Sequence, residues 1–178
     1  LEEGGEILND ISGLKFDKKM VNVIEKYQPS LVLCGFSQKI ITGNQLNKIK
    51  VLLKQSFALA KSVNISKKNI VFDPAIGFFR KTGTGQFFTK INSDWFERDL
   101  LILKNLKSIK MGQPLLVSVS NKSFIGKLLK IENPKDRLFG SVVAEAIAVL
   151  NGADIIRTHN VQETKDAITL VQTLAQKK

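Results

Sequence analysis

Five times along these 178 residues, a short apolar run is followed by a stretch long enough for a helix, and this alternation is the strongest constraint on the fold. The runs are EILNDISG (Glu6 to Gly13), SLVLCGF (Ser30 to Phe36), NIVFD (Asn69 to Asp73), PLLVSVS (Pro114 to Ser120) and ADIIRTH (Ala153 to His159). Short apolar, β-branched runs bounded by turn residues read as buried strands. Buried strands separated by helical crossovers make a parallel sheet with helices outside it.

The crossovers carry their own signals. Asp17 is placed to cap DKKMVNVIEKY, in which Met20, Val23, Ile24 and Tyr27 share one stripe until Pro29 ends the helix. Behind Gly43, Leu46, Ile49, Leu53, Phe57 and Ala60 recur at the three- and four-residue spacing of an amphipathic face. A third helix is expected from about Asp94 to Met111, with Trp95, Leu100, Leu103, Leu106 and Ile109 on its apolar side. Asn133-Pro134-Lys135-Asp136 starts a fourth, running to about Asn151 and apolar enough to be covered by two neighbours. Asn160 and Glu163 suggest a capping box for a last helix ending at Lys177 and Lys178. The 74–93 loop, rich in Gly, Phe and cations, is long for a compact domain, which marks it as functional or mobile.

Such a chain can form an open doubly wound sheet or part of a (β/α)8 TIM barrel. No G-x-G-x-x-G follows the first strand, and polar residues stand at the carboxyl ends of all five strands. An open sheet gathers its site at one switch point, whereas the loops of a barrel converge on one mouth. The barrel is therefore the expected fold class. It needs eight units; five are present, and LEEGG reads as the tail of a helix already under way. Residues 1–178 are expected to be the C-terminal part of a single barrel domain, covering strands 4 to 8.

Composition excludes several classes. No window approaches the roughly 18 apolar residues of a membrane span, and the acidic LEEGGE is unlike a signal peptide. One cysteine, Cys34, allows no intramolecular disulfide and reads as a buried small hydrophobe. The net charge of +11 comes from lysines scattered singly or in pairs, with no Arg-rich run or aromatic interleaving. That pattern suits solvated helix faces and a field attractive to small phosphorylated anions, rather than a nucleic-acid partner. No metal-ligand spacing and no nucleophile elbow occur.

Side chains two apart on a strand point the same way. Arg157 and His159 thus share a direction, as do Ser120 and Lys122. A guanidinium fork and an imidazole beside the start of the last helix suit phosphate oxygens, although a lone His is as readily structural. Asp73 can accept two N–H bonds from an aminopyrimidinone edge, or simply start a turn before Pro74. Asn9 offers a donor and an acceptor. Phe78 and Phe79 can stack on an aromatic ligand or pack beneath their loop. KTGTGQ lacks the spacing of a phosphate loop.

Taken in order, EILNDISG, LVLCGF, VFDPAIGF, VSVSNKSFIG and GADIIRTHNVQET resemble the dihydropteroate synthase family, from its fourth barrel strand to its end, with an archaeal-like long loop. The resemblance implies a transferase joining dihydropterin pyrophosphate to p-aminobenzoate or a related arylamine with loss of diphosphate. Asn9, Asp73 and Lys122 would then hold the pterin. Gly77, Phe78 and Ser123 would border the arylamine, and Arg157 and His159 would bind diphosphate. Lys122, Arg157 and His159 would be the catalytic set. The resemblance also implies Mg2+ bound through the diphosphate, with its protein ligand on strands absent from this chain. It further implies a cytoplasmic homodimer joined through the helices after strands 6 to 8, with the Pro134–Asn151 helix as the contact. Asn121 and Asn160 stand where the family usually has Arg and Asp. A non-catalytic pterin-binding relative and a methyltetrahydrofolate-type methyltransferase remain alternatives.

Overall fold

The computed structural model describes residues 1–82 and 85–175. Strands β1 (Ile7–Asp10), β2 (Ser30–Cys34) and β3 (Ile70–Asp73) pair in parallel, with Asn9 opposite Val32 and Cys34 opposite Asp73. Two further strands, β4 (Phe79–Arg80) and β5 (Thr89–Lys90), pair within the long loop. Strands β6 (Leu116–Val117) and β7 (Ile155–Ile156) pair in parallel. A bridge between Phe72 and Leu115, with the Phe72 N–H donating to the Pro114 carbonyl at 2.9 Å, joins β3 to β6. The main strands thus run in the order β1-β2-β3-β6-β7, all parallel, as five successive units of a (β/α)8 barrel.

The pleat sorts their side chains. Leu31, Leu33, Ile70, Phe72, Leu115 and Val117 point outward and are buried beneath the helices. Ile7, Val32, Val71, Leu116 and Ile155 line an inner concavity of about 440 Å³, together with Asn9 and Arg157. The sheet curls far enough for its two edges to meet across that interior: Arg157, just beyond β7, donates to Asn9 Oδ1 on β1 at 2.9 Å.

The helices are α1 (Met20–Tyr27), α2 (Gln45–Ser62), α3 (Trp95–Lys104), α4 (Leu106–Ile109), α5 (Ser123–Leu129), α6 (Leu138–Leu150) and α7 (Val161–Ala175). Asn44 and Asp94 cap α2 and α3 through their side chains. Ile49, Leu52 and Leu53 of α2 and Ile102, Leu106 and Ile109 of α3 and α4 fill the outer core. Gly13, at φ +56°, brings the β1 loop so close that a Cβ there would lie 2.4 Å from both Cys34 O and Ser56 Oγ.

Several sequence expectations are corrected. Asp17 caps a turn rather than α1: its carboxylate accepts from the Lys19 N–H, and the helix begins at Met20. The single helix expected over 94–111 breaks at Asn105, whose side-chain amide donates to the Leu101 carbonyl at 2.8 Å, while Asn151 takes the Leu103 carbonyl. Asn133 and Pro134 start a 3-10 turn (Pro134–Asp136) instead of α6 itself. The Asn160–Glu163 capping box does not form, because the Asn160 N–H donates to Thr158 Oγ1 at 3.1 Å. Strands expected over 114–120 and 153–159 shrink to two residues each. Beyond Val117 and Arg157 the chains separate, and the Ser120 hydroxyl takes over as acceptor for the His159 N–H at 3.4 Å. The 74–93 loop is partly structured by β4 and β5, and a bridge between Ile41 and Ile91 ties it to the segment before α2. Helix α6 has the two expected neighbours, α5 and α7, yet Phe139, Val143, Ile147 and Leu150 remain 84%, 58%, 41% and 48% exposed along a further stripe. Part of KTGTGQ, at residues 83–84, and the last helix's expected end at Lys177 and Lys178 lie outside the described residues.

Candidate functional site

The inward positions at the carboxyl ends of β1, β3 and β7 bring Asn9, Asp73 and Arg157 together. Asp73 is buried. Its Oδ1 accepts from the Ala75 N–H at 2.8 Å, and its Oδ2 accepts from Arg157 Nη2 at 3.4 Å. Burial raises the Asp73 pKa, and the Ala75 N–H and the charges of Arg157 and Lys122 oppose that rise. Cys34, opposite it on β2, is buried as expected, and burial beside Asp73 pushes its thiol well above the usual range.

Lys122 follows the buried Ser120. Burial lowers its pKa, and the Asp73 charge works in the other direction. Its ammonium lies 4.4 Å from the centre of the Phe78 ring, a cation–π contact. Its stem packs on Gly77, whose φ is +88°; a Cβ at Gly77 would fall 2.8 Å from Lys122 Cδ. Gly77 therefore leaves room for the lysine. An acid and a base, each shifted toward its neutral form by desolvation, hold partly unmatched charge at one mouth, as ligand sites do.

His159 is exposed, with Nδ1 3.0 Å from Ser120 Oγ, while Arg157 turns into the lumen toward Asn9 and Asp73. The expected Arg–His pair thus shares one strand end, with each side chain held by a different neighbour. Ser123 is exposed, and its Oγ accepts from Arg80 Nη2 at 3.4 Å. Asp10, adjacent to Asn9, serves a local turn: it accepts from the Ser12 N–H, the Ser12 hydroxyl and the Leu14 N–H.

Three supporting groups escaped the sequence reading. Arg98 and Asp99 on α3 are buried side by side at 2.9 Å. Arg98 donates to the Pro74 and Ala75 carbonyls at 2.9 and 3.0 Å, and Asp99 accepts from the Gly77 N–H at 3.1 Å. This pair fixes the backbone between Asp73 and Phe78. The signal was present, because Arg98 and Asp99 stand four residues before Ile102 and Leu103 on the buried stripe. The second group is Arg137, which donates to the carbonyls of Asn121, Ile131 and Glu132 and lies on Gly126. With Ser141 Oγ accepting from the Asn121 N–H at 2.9 Å, it holds Asn121 at φ +58° just before Lys122. The third is the buried Glu145, which accepts from Thr164 Oγ1 at 2.6 Å; Thr164 in turn meets Thr158 at 3.0 Å, between Arg157 and His159. Neither of these two has a sequence signature.

No group of three or more His, Cys, Asp or Glu side chains is arranged to hold a metal ion among the described residues. No helix among them is long and apolar enough to cross a membrane.

A family model described as pterin binding enzyme matches residues 1–159. The dihydropteroate synthase of Synechocystis sp. is 29% identical over 170 residues, covering 91% of this chain and 54% of that protein. The crystal structure of the dihydropteroate synthase of Clostridium difficile in the presence of pteroic acid aligns with a TM-score of 0.84 at 32% identity, over 99% of this chain and 62% of that one. That of Coxiella burnetii, in complex with pteroic acid, aligns with a TM-score of 0.80 at 29% identity, over 97% and 62%. The chain thus spans between half and two thirds of the length of these relatives.

The Arg98–Asp99 pair gives a direct prediction. An Asp99→Asn change strands two guanidiniums, Arg98 and Arg80, without their carboxylate. It should cost about 3 kcal/mol of folding stability in urea unfolding of the full-length protein. A change below about 0.5 kcal/mol would show that the pair does not anchor the loop.

Proposed function

The chain belongs to the pterin binding enzyme family, and we propose that it forms the carboxyl-terminal five β/α units of a transferase. The reaction condenses dihydropterin pyrophosphate with p-aminobenzoate or a related arylamine and releases diphosphate. One observation carries this reading: Asp73, Lys122 and Arg157, from three separate strand ends, converge on one mouth with Asn9. It is supported by relatives named dihydropteroate synthase and by neighbours solved with pteroic acid.

In the proposed reaction, the Asp73 carboxylate accepts from the amino and ring N–H groups of the pterin, and Asn9 supplies a donor and an acceptor. Arg157 gives up its contacts with Asn9 and Asp73 and turns to the diphosphate with His159. The bond from the pterin methylene to the diphosphate oxygen breaks first, and its electron pair leaves with the diphosphate. The arylamine nitrogen then bonds to the methylene carbon and loses a proton to water. Arg157, His159 and Lys122 act by matching the growing negative charge of the leaving group, not by moving protons. Magnesium fits this chain only as a companion of the diphosphate, which it would help to neutralise when bound.

The remaining three barrel units would come from preceding sequence or from another polypeptide, covering the inner concavity and the unpaired edges of β1 and β7. The exposed α6 stripe would be the contact of a cytoplasmic homodimer. Exposed apolar stripes of this kind mark interaction surfaces.

The test is diphosphate release by the full-length protein given dihydropterin pyrophosphate and p-aminobenzoate. Release is expected, and Lys122→Ala should weaken pterin binding at least about tenfold, or about 1.4 kcal/mol, while leaving the melting temperature in place. Pterin binding without diphosphate release would establish a non-catalytic relative instead. For the dimer, Val143→Asp should yield a monomer in sedimentation at micromolar concentration; a persistent dimer would place the contact elsewhere.

A further inference from the structure

Glu145, on α6, is fully buried behind the end of β7. Its Oε2 accepts from Thr164 Oγ1 at 2.6 Å, and its Oε1 is buried without a hydrogen-bond partner. A carboxylate desolvated for a single hydroxyl adds little to stability, because burying it costs more than one such bond returns. What it orients is a better account of its place.

The chain of bonds that ends on Glu145 begins at the mouth. A hydroxyl has one proton to donate. Thr164 gives its proton to Glu145, so across the 3.0 Å contact between the two threonines the Thr158 hydroxyl is the donor. The lone pairs of Thr158 are then left for the Asn160 N–H at 3.1 Å, while the Thr164 N–H donates to the Asn160 carbonyl at 3.0 Å. The carboxylate thus sets the direction of each bond from Asn160 through Thr158 and Thr164, and it ties the turn between β7 and α7 to α6. Thr158 has Arg157 and His159 on either side of it. Arg157 reaches Asn9 and Asp73 in the lumen, and His159 Nδ1 lies 3.0 Å from Ser120 Oγ.

We propose that Glu145, acting through Thr164 and Thr158, is a positioning residue for Arg157 and His159. This rests on the function proposed above, which gives those two side chains to the diphosphate. They converge on one anion only if the backbone between them is fixed, and a misplacement of about 1 Å in a binding group costs up to about a hundredfold. Without the carboxylate both threonine hydroxyls are free to rotate, and the turn that carries the pair loses its tie to the helix behind it.

The experiment measures equilibrium binding of dihydropterin pyrophosphate, and of the same pterin lacking diphosphate, to the full-length protein. Thr158→Val cuts the chain at nearly constant shape, and Glu145→Ala removes its anchor. Each should lower the preference for the pyrophosphate by about tenfold, with the plain pterin bound within about threefold of wild type. Glu145→Gln keeps an acceptor for Thr164 and should hold the preference within about threefold of wild type. A preference unchanged in Thr158→Val and Glu145→Ala overturns the positioning role while leaving the proposed function standing. An equal loss for both ligands marks a general structural role and overturns it as well. Wild-type protein with no preference for the pyrophosphate overturns both this role and the diphosphate site it serves. Should Glu145→Ala fail to fold, Thr158→Val decides alone, because Thr158 is half-buried and its replacement keeps the branched side chain.

Discussion

The contact on which the site depends is the reach of Arg157 across the barrel interior. Its guanidinium leaves the end of the last strand and bonds Asn9 on the first and Asp73 on the third. It can do so because the sheet curls and brings the ends of β1, β3 and β7 to one interior. The same residue neutralises part of the charge that burial makes costly on Asp73. The mouth is thus held by its own opposed charges.

A second layer makes this mouth specific. Arg98 and Asp99 bond the backbone from Pro74 to Gly77, Gly77 leaves room for the Lys122 stem, and Lys122 covers Phe78. On the far side, Arg137 and Ser141 pin Asn121 in the left-handed region that turns the chain toward Lys122. Asparagine adopts that conformation more readily than most residues, so Asn121 suits the turn it occupies. Buried ion pairs add little stability on their own account, but losing one partner is costly. Their place beneath a ligand loop is therefore best understood as fixing geometry.

Much of the fold was legible in the sequence, for a physical reason. Buried parallel strands are continuous apolar runs, and SLVLC and IVFD are found in the places their composition indicated. Asp73 stood out as the residue closing the third strand, and Arg157 as a strand-end position of the fifth. Boundaries were less legible where side chains compete with the backbone: Asn105 breaks a helix by taking Leu101's carbonyl, and Thr158 replaces the expected partner of the Asn160 N–H. The buried Arg98, Asp99 and Glu145 were hidden by the habit of reading charge as surface. For the first two, helical spacing against Ile102 and Leu103 was the available signal. Glu145 sits mid-helix among small apolar residues, and only the structure reveals its threonine partner on α7.

The measurement that bears most directly on this account is equilibrium binding of two ligands, dihydropterin pyrophosphate and the same pterin lacking diphosphate, to full-length protein carrying Arg157→Met. The account predicts that the diphosphate's added affinity is lost, by about tenfold or more, while the plain pterin binds within about threefold of wild type. Undiminished preference for the pyrophosphate would contradict it, because the strand-end guanidinium would then have no part in holding the leaving group.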